Sequence, residues 1–120
     1  IEIDGRRLKN DFLIVLLANG SYYGGGYHGA PYALAGDGLI DFLGVTTFSR
    51  LKMLSLLKTF KIGRHLEEKA IKDKIIYKKS KKLSICSDEL IPVCIDGDFI
   101  QVKEINAHLA AGVLNFAVPE

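Results

Sequence analysis

A mainly β fold, a sandwich of short antiparallel strands carrying one amphipathic helix, is what this sequence predicts. Three observations carry that expectation. Apolar residues alternate in short runs at both ends of the chain, as in Ile1 and Ile3 and again in Ile91, Val93 and Ile95. Gly, Asp and Ser turn signals separate these runs at short intervals. Only one segment, about Ser49 to Ile62, repeats its apolar residues at helical spacing. Many short strands with a single helix argue for a sandwich and against a sheet built of β-α-β units.

Taken in order, Ile1-Glu2-Ile3 alternates, Asp4-Gly5 turns, and the chain returns through Leu8 toward the apolar run Phe12 to Ala18. That pattern reads as a hairpin leading into a buried strand. Ser21 to Ala35 holds Gly24, Gly25, Gly26 and Gly29 among Tyr22, Tyr23, Tyr27, Pro31 and Tyr32. Such a composition disfavours helix, so a long, shaped loop is expected, with the tyrosine rings filling the sandwich. Leu39 to Thr47 is apolar and β-branched and is expected to be a strand.

Ser49 stands where an N-cap belongs, and Gly63 where a helix would stop. Between them Leu51, Leu54 and Leu57, with Met53, Leu56 and Phe60, are expected to pack on the core. Lys52, Lys58, Lys61 and Arg64 take the complementary face or the end, where cations suit the carbonyl pole of the helix. A basic amphipathic helix can also lie on a membrane surface. Beyond Ala70, strand pieces are expected around Ile71 and Ile75, Leu83 and Ile85, Ile91 to Ile95, Phe99 to Val102, and Leu114 to Val118.

A chain of 120 residues is long enough for one domain with a single core. Its hydrophobic fraction of 48% and charged fraction of 25% are those of a globular protein, which excludes disordered and collagen-like classes. A net charge of +2 is too small to imply nucleic acid. Lys72, Lys74, Lys78, Lys79, Lys81 and Lys82 nevertheless crowd one stretch. They form a solvated face or one set against anionic headgroups, where each surface lysine contributes ~1 kcal/mol. Cys86 and Cys94 lie in apolar-patterned segments without metal-ligand spacing and are expected to be buried thiols in a reducing compartment. No run reaches the ~18 apolar residues of a membrane span. No signal peptide is expected either, and the protein reads as cytoplasmic.

The candidate chemistry lies in acidic-glycine segments. Asp96-Gly97-Asp98 follows the apolar run Leu90 to Ile95 and sets two carboxylates on one side of a chain reversal, where a general base for a hydroxyl group can sit. Asp-Gly is equally the commonest hairpin turn. His28, His65 and His108 have no evident catalytic partner, and no nucleophile elbow, Walker-type loop or zinc-protease motif is present. Gly24-Gly25-Gly26 does not open a helix after a strand, as a dinucleotide fingerprint should.

Asn19-Gly20 with Tyr23-Gly24-Gly25-Gly26, then Pro31 and Ala33 leading to Asp37-Gly38-Leu39-Ile40-Asp41, then Gly63 with His65-Leu66, Asp96-Gly97-Asp98 and finally Pro119 form an ordered series. Across nearly the whole chain it resembles the C-terminal domain of the diacylglycerol kinase and sphingosine kinase-like lipid kinases, especially the bacterial soluble members. The resemblance implies a two-domain enzyme whose N-terminal nucleotide-binding domain, with its Gly-Gly-Asp-Gly-Thr motif, is absent from this sequence. The 1–120 chain is then the β-sandwich half, inactive by itself, that contributes lipid-site and catalytic residues.

By the same resemblance Asp96 is the general base for the lipid hydroxyl, and Asp98 takes the place of the family's usual Glu with a shorter side chain. Leu34, Asp37 and Leu39 correspond to a loop that holds Mg²⁺ through one carboxylate and two carbonyls, which hard-cation chemistry permits; a turn capped by Asp37 is the competing reading. Asn19 and Gly24 would face the cleft toward the nucleotide-binding domain. The expected cofactors are Mg²⁺ and ATP as phosphoryl donor. The expected partners are a diacylglycerol-like lipid, the protein's own N-terminal domain, a peripheral membrane surface and a second copy, with no nucleic acid. Two other readings stand beside this one: a β-sandwich module that binds lipid or carbohydrate without chemistry, and a relative of the nicotinamide nucleotide kinases.

Overall fold

In a computed structural model that describes residues 1–114, the chain forms β1 (Glu2–Ile3), β2 (Arg6–Arg7), β3 (Phe12–Ala18), β4 (Ile40–Thr46), α1 (Arg50–Lys61), β5 (Ile75–Ser80), β6 (Lys82–Ile95) and β7 (Asp98–His108). Two antiparallel sheets result, ordered β2-β1-β6-β7 and β3-β4-β5. Ile3, Leu83 and Ile85 from the first meet Ile40 and Phe42 from the second, with Val15, Leu17, Ile76 and Ile105 packed around them. The β-sandwich read from the alternating pattern is therefore the fold.

The middle strand β4 is buried along Ile40 to Val45, on both faces. Ile40 and Phe42 point into the sandwich, while Asp41, Leu43 and Val45 project from the opposite face by the two-residue alternation. The loop after β3 lies over that outer face. Gly29 sits against Leu16, which pairs with Leu43, and the Tyr32 ring meets Tyr77 edge-on at 5.5 Å. Gly44 admits the Phe12 ring, which stands at 87° to Phe42 with centroids 6.1 Å apart. A Cβ on Gly44 would come within 2.5 Å of Phe12.

α1 begins as expected: the Ser49 hydroxyl accepts from the Lys52 N–H at 3.4 Å. It ends in a Schellman arrangement, with Gly63 at φ +78° and the Arg64 N–H bonded to the Thr59 carbonyl at 3.0 Å. Its leucine stripe does not behave as expected. Leu51 is 82% exposed, and Leu54 and Leu57 are also exposed, whereas Met53, Leu56 and Phe60 form the half-buried edge. The helix contacts the body along one side of its apolar arc, and Arg50, Lys58 and Lys61 share the outer side with the leucines.

Other expectations are corrected. Tyr22, Tyr23 and Tyr32 are exposed outside the sandwich, because the loop that carries them covers an outer face instead of entering the core. Cys86 and Cys94 are exposed, not buried. Cys86 follows the buried Ile85 and is turned outward by the pleat, opposite Glu104, whereas Cys94 lies on the distal part of the hairpin, where Ile95 and its own partner Phe99 are exposed too. Leu83–Ile85 and Ile91–Ile95 belong to one strand, β6, with an irregularity in its pairing between Cys86 and Ile91. Ile71 is a buried residue ahead of a short 3-10 turn and not part of β5. The Leu114 to Val118 strand falls almost wholly outside the described residues, as does Pro119, and Leu114 itself is in no strand.

Candidate functional site

β6 and β7 form the longest hairpin, closed by Asp96 and Gly97 between the paired residues Ile95 and Asp98. Asp96 has φ +49° and Gly97 φ +105°, the mirror-image turn that matches strand twist. Asp96 tolerates this left-handed position because a short polar side chain can bond locally. Asp96 and Asp98 are both exposed, two residues apart at the tip, and among the described residues neither forms an ion pair. The same turn occurs at Asp4-Gly5, with φ +46° and +80°. There the Asp4 Oδ1 accepts from the Lys81 and Lys82 N–H groups, and the aspartate ties the first hairpin to the crossover between sheets.

A second acidic group forms where the chain enters β4. Asp37 Oδ1 accepts from the Leu39 N–H at 3.0 Å, and its Oδ2 lies 2.7 Å from Lys79 Nζ. Lys79 is the cross-strand partner of Asp41 and also lies 3.6 Å from Asp41 Oδ1. Asp41 has no exposed surface; its Oδ1 accepts a short bond from the Tyr77 hydroxyl, while its Oδ2 has no partner among the described residues. The Lys79 bond, opposed by partial desolvation and aided by the Leu39 N–H, holds the Asp37 carboxyl below its ordinary range. The Lys79 ammonium is held above its own, first by Asp37. Burial, then the bond to Asp41, push the Tyr77 phenol well above its ordinary value. A groove of about 240 Å³ lies beside Tyr77, between Tyr32, Leu66, Lys72 and Ile75, and is not lined by Asp37, Asp41 or Lys79.

Two of the three donors expected to hold magnesium are already engaged, so the set does not fit that ion as arranged. The Leu34 carbonyl already accepts from the Gly36 and Asp37 N–H groups, at 2.8 and 3.2 Å, and both Asp37 oxygens are engaged. Among the described residues no three His, Cys, Asp or Glu side chains converge as a metal site. Asn19 and Gly24 are exposed in the loop after β3. The candidates are therefore divided: Asn19, Gly24, Leu34, Asp37 and Leu39 adjoin the second sheet, while Asp96 and Asp98 close the longest hairpin of the first. The larger groove, about 400 Å³ beside the β1-β2 turn, contains none of them.

Lys79, Tyr77 and the burial of Asp41 escape sequence reasoning, as does His65. His65 is fully buried against Phe60, ring centroids 4.3 Å apart, and neither ring nitrogen makes a hydrogen bond of ordinary geometry among the described residues. Burial pushes its pKa down to about 4, against a pull from the Gly29 carbonyl and with His28 adding to the depression. His28 itself stacks on Tyr22 at 4.2 Å and donates its backbone N–H to the Lys61 carbonyl, which fastens the loop to the end of α1.

Two facing antiparallel sheets around one shared core define a β-sandwich domain, with an acidic hairpin tip and a glycine-rich loop over an outer face. Comparison with known families agrees: the chain belongs to the YegS C-terminal NAD kinase beta sandwich-like domain family, whose model matches residues 1–118. YegS-like proteins are lipid kinases, so this is a kinase-associated domain. Among curated proteins none matches the chain significantly. No helix among the described residues is long and apolar enough to cross a membrane.

Proposed function

We propose that this domain is the lipid-binding and catalytic C-terminal half of an ATP-dependent kinase that phosphorylates the hydroxyl of a diacylglycerol-like lipid. The observation that carries the reading is the exposed Asp96 carboxylate at the hairpin tip of a domain whose family consists of lipid kinases. Phosphoryl transfer asks the protein chiefly for positioning and charge control around an attacking oxygen. A carboxylate of Asp96 takes the proton of the lipid hydroxyl as that oxygen bonds to the γ-phosphorus, and the bond to ADP breaks. Asp98, adjacent on the paired strand, orients the same hydroxyl. ATP and its magnesium belong to the partner nucleotide-binding domain, and by itself the sandwich is inactive.

The acceptor resides in a membrane, and α1 supports a peripheral position. From Phe48 to Leu66 there are five basic residues and no acid, and exposed leucines alternate with the cations. A second reading is a module that binds lipid or carbohydrate without chemistry. Its support is Asp4-Gly5, which shows that the same turn can be purely structural.

Transfer from radiolabelled ATP to diacylglycerol, sphingosine and monoacylglycerol, measured with the full-length protein, separates the two. Asp96→Asn is expected to lower kcat by at least about 100-fold with nucleotide affinity unchanged. Near-normal turnover in that variant removes Asp96 as the base; no phosphorylated lipid in any lane supports the binding module.

A further inference from the structure

We infer that Lys79 is the resident cation of the Asp37 loop, so that this loop closes on an ammonium group and not on magnesium. The inference stands apart from the kinase reading, since it concerns how the chain entering β4 is held and not what the hairpin tip does.

Asp37 and Asp41 lie four residues apart, and both bring an oxygen to the same lysine: 2.7 Å from Asp37 Oδ2 and 3.6 Å from Asp41 Oδ1. Pairing of β4 with β5 fixes this meeting, because Asp41 and Lys79 stand opposite each other in the ladder. Asp41 is fully buried and its remaining oxygen has no partner among the described residues, so it is the group most in need of a nearby positive charge. An ammonium has three tetrahedral N–H donors and can serve two carboxylates at once.

The same positions are unsuited to magnesium. That ion takes oxygens at about 2.0–2.1 Å in near-octahedral array. Here the Leu34 carbonyl is engaged by two backbone N–H groups, Asp37 Oδ1 by Leu39, and Asp37 Oδ2 by Lys79. A divalent ion on Asp37 would stand against the ammonium until that side chain withdrew, and withdrawal would strip Asp41 of its counter-charge. Within the basic stretch the neighbours Lys78, Lys81 and Lys82 are exposed, whereas Lys79 is folded over the acidic pair.

The test compares melting of the chain in EDTA and in about 5 mM magnesium chloride. The wild type is expected to melt at the same temperature within about 1 °C in both. Lys79→Met is expected to melt at least about 5 °C lower in EDTA and to recover part of the loss on adding magnesium. Lys79→Arg, which keeps the charge, is expected to stay close to the wild type. A magnesium-dependent rise in the wild type that Asp37→Asn abolishes would overturn the inference. So would a Lys79→Met protein as stable as its parent. Should Lys79→Met fail to fold, the wild-type comparison and Lys79→Arg decide the question.

Discussion

Acid should unfold this domain through one buried imidazole. His65 has no exposed surface, packs on Phe60 and, among the described residues, has no ordinary hydrogen-bond partner on either nitrogen. A proton there would place an uncompensated charge in an apolar setting, which is why its pKa falls from 6.5 to about 4. Because the folded value lies below the unfolded one, the unfolded chain binds more protons between pH 6.5 and about 4. Stability is therefore complete above pH 6.5 and declines as pH falls through that window. The loss is at most about 3 kcal/mol, less to the extent that water reaches the ring.

Urea unfolding from pH 7 to pH 4 measures the loss, with His65→Leu as the control in which this share of the slope disappears. Asp37 opposes no part of the assignment, because its lowered pKa places its own loss below the ordinary carboxylate value of 3.8. If wild type and His65→Leu lose stability in parallel, or if the His65 ring titrates by NMR near 6.5, the burial argument is wrong.

Two further predictions separate backbone strain from packing and test the proposed membrane contact of α1. Gly63→Ala should cost about 2–3 kcal/mol, because a left-handed residue there is strained and its Cβ would sit 2.4 Å from the His28 ring. Gly97→Ala, at φ +105° with nothing within 4 Å, should cost only the backbone share of about 1–2 kcal/mol; equal losses in urea titrations would dismiss the contact with His28. Lys58→Glu with Lys61→Glu should weaken co-sedimentation with anionic vesicles about tenfold or more while the domain stays folded with a modestly lower melting temperature, since both cations lie in the last turn of α1 and Lys61 sits 5.6 Å over the Tyr27 ring. Retained vesicle binding would place the membrane contact elsewhere.

Features set by neighbours in sequence were legible. Asp4-Gly5 and Asp96-Gly97 turn where Asp-Gly pairs should, Phe12 to Ala18 is a strand, and Ser49 caps the helix. Features set by distant partners were not. Lys79 is one lysine among six in its stretch, and only its register opposite Asp41 distinguishes it. His65 stands between Arg64 and Leu66 with no periodic signal, and its burial comes from Phe60 and the loop carrying His28. The polar triplet Ser87-Asp88-Glu89 interrupts the alternation in β6, so the strand reads as two, although pairing with β7 resumes beyond it. The leucines of α1 repeat as a core stripe does, but helical spacing alone does not say which part of an apolar arc meets the body.

Glycines Gly5, Gly38 and Gly97 all take positive φ, so the three Asp-Gly pairs differ less in backbone than in what each carboxylate meets. Asp4 receives two backbone N–H groups, and Asp37 receives Leu39 and Lys79. One oxygen of Asp4 holds a hairpin to the sheet crossover, and both oxygens of Asp37 hold its loop to β5 and to Leu39. A carboxylate whose lone pairs are filled by protein donors is a poor acceptor for a further proton, because a bond would first have to be given up. Asp96 faces solvent at a hairpin tip with Asp98 as its companion. Of the three, it alone has both oxygens free of protein donors among the described residues, and the proposed chemistry is placed there because of its surroundings and not because of its motif.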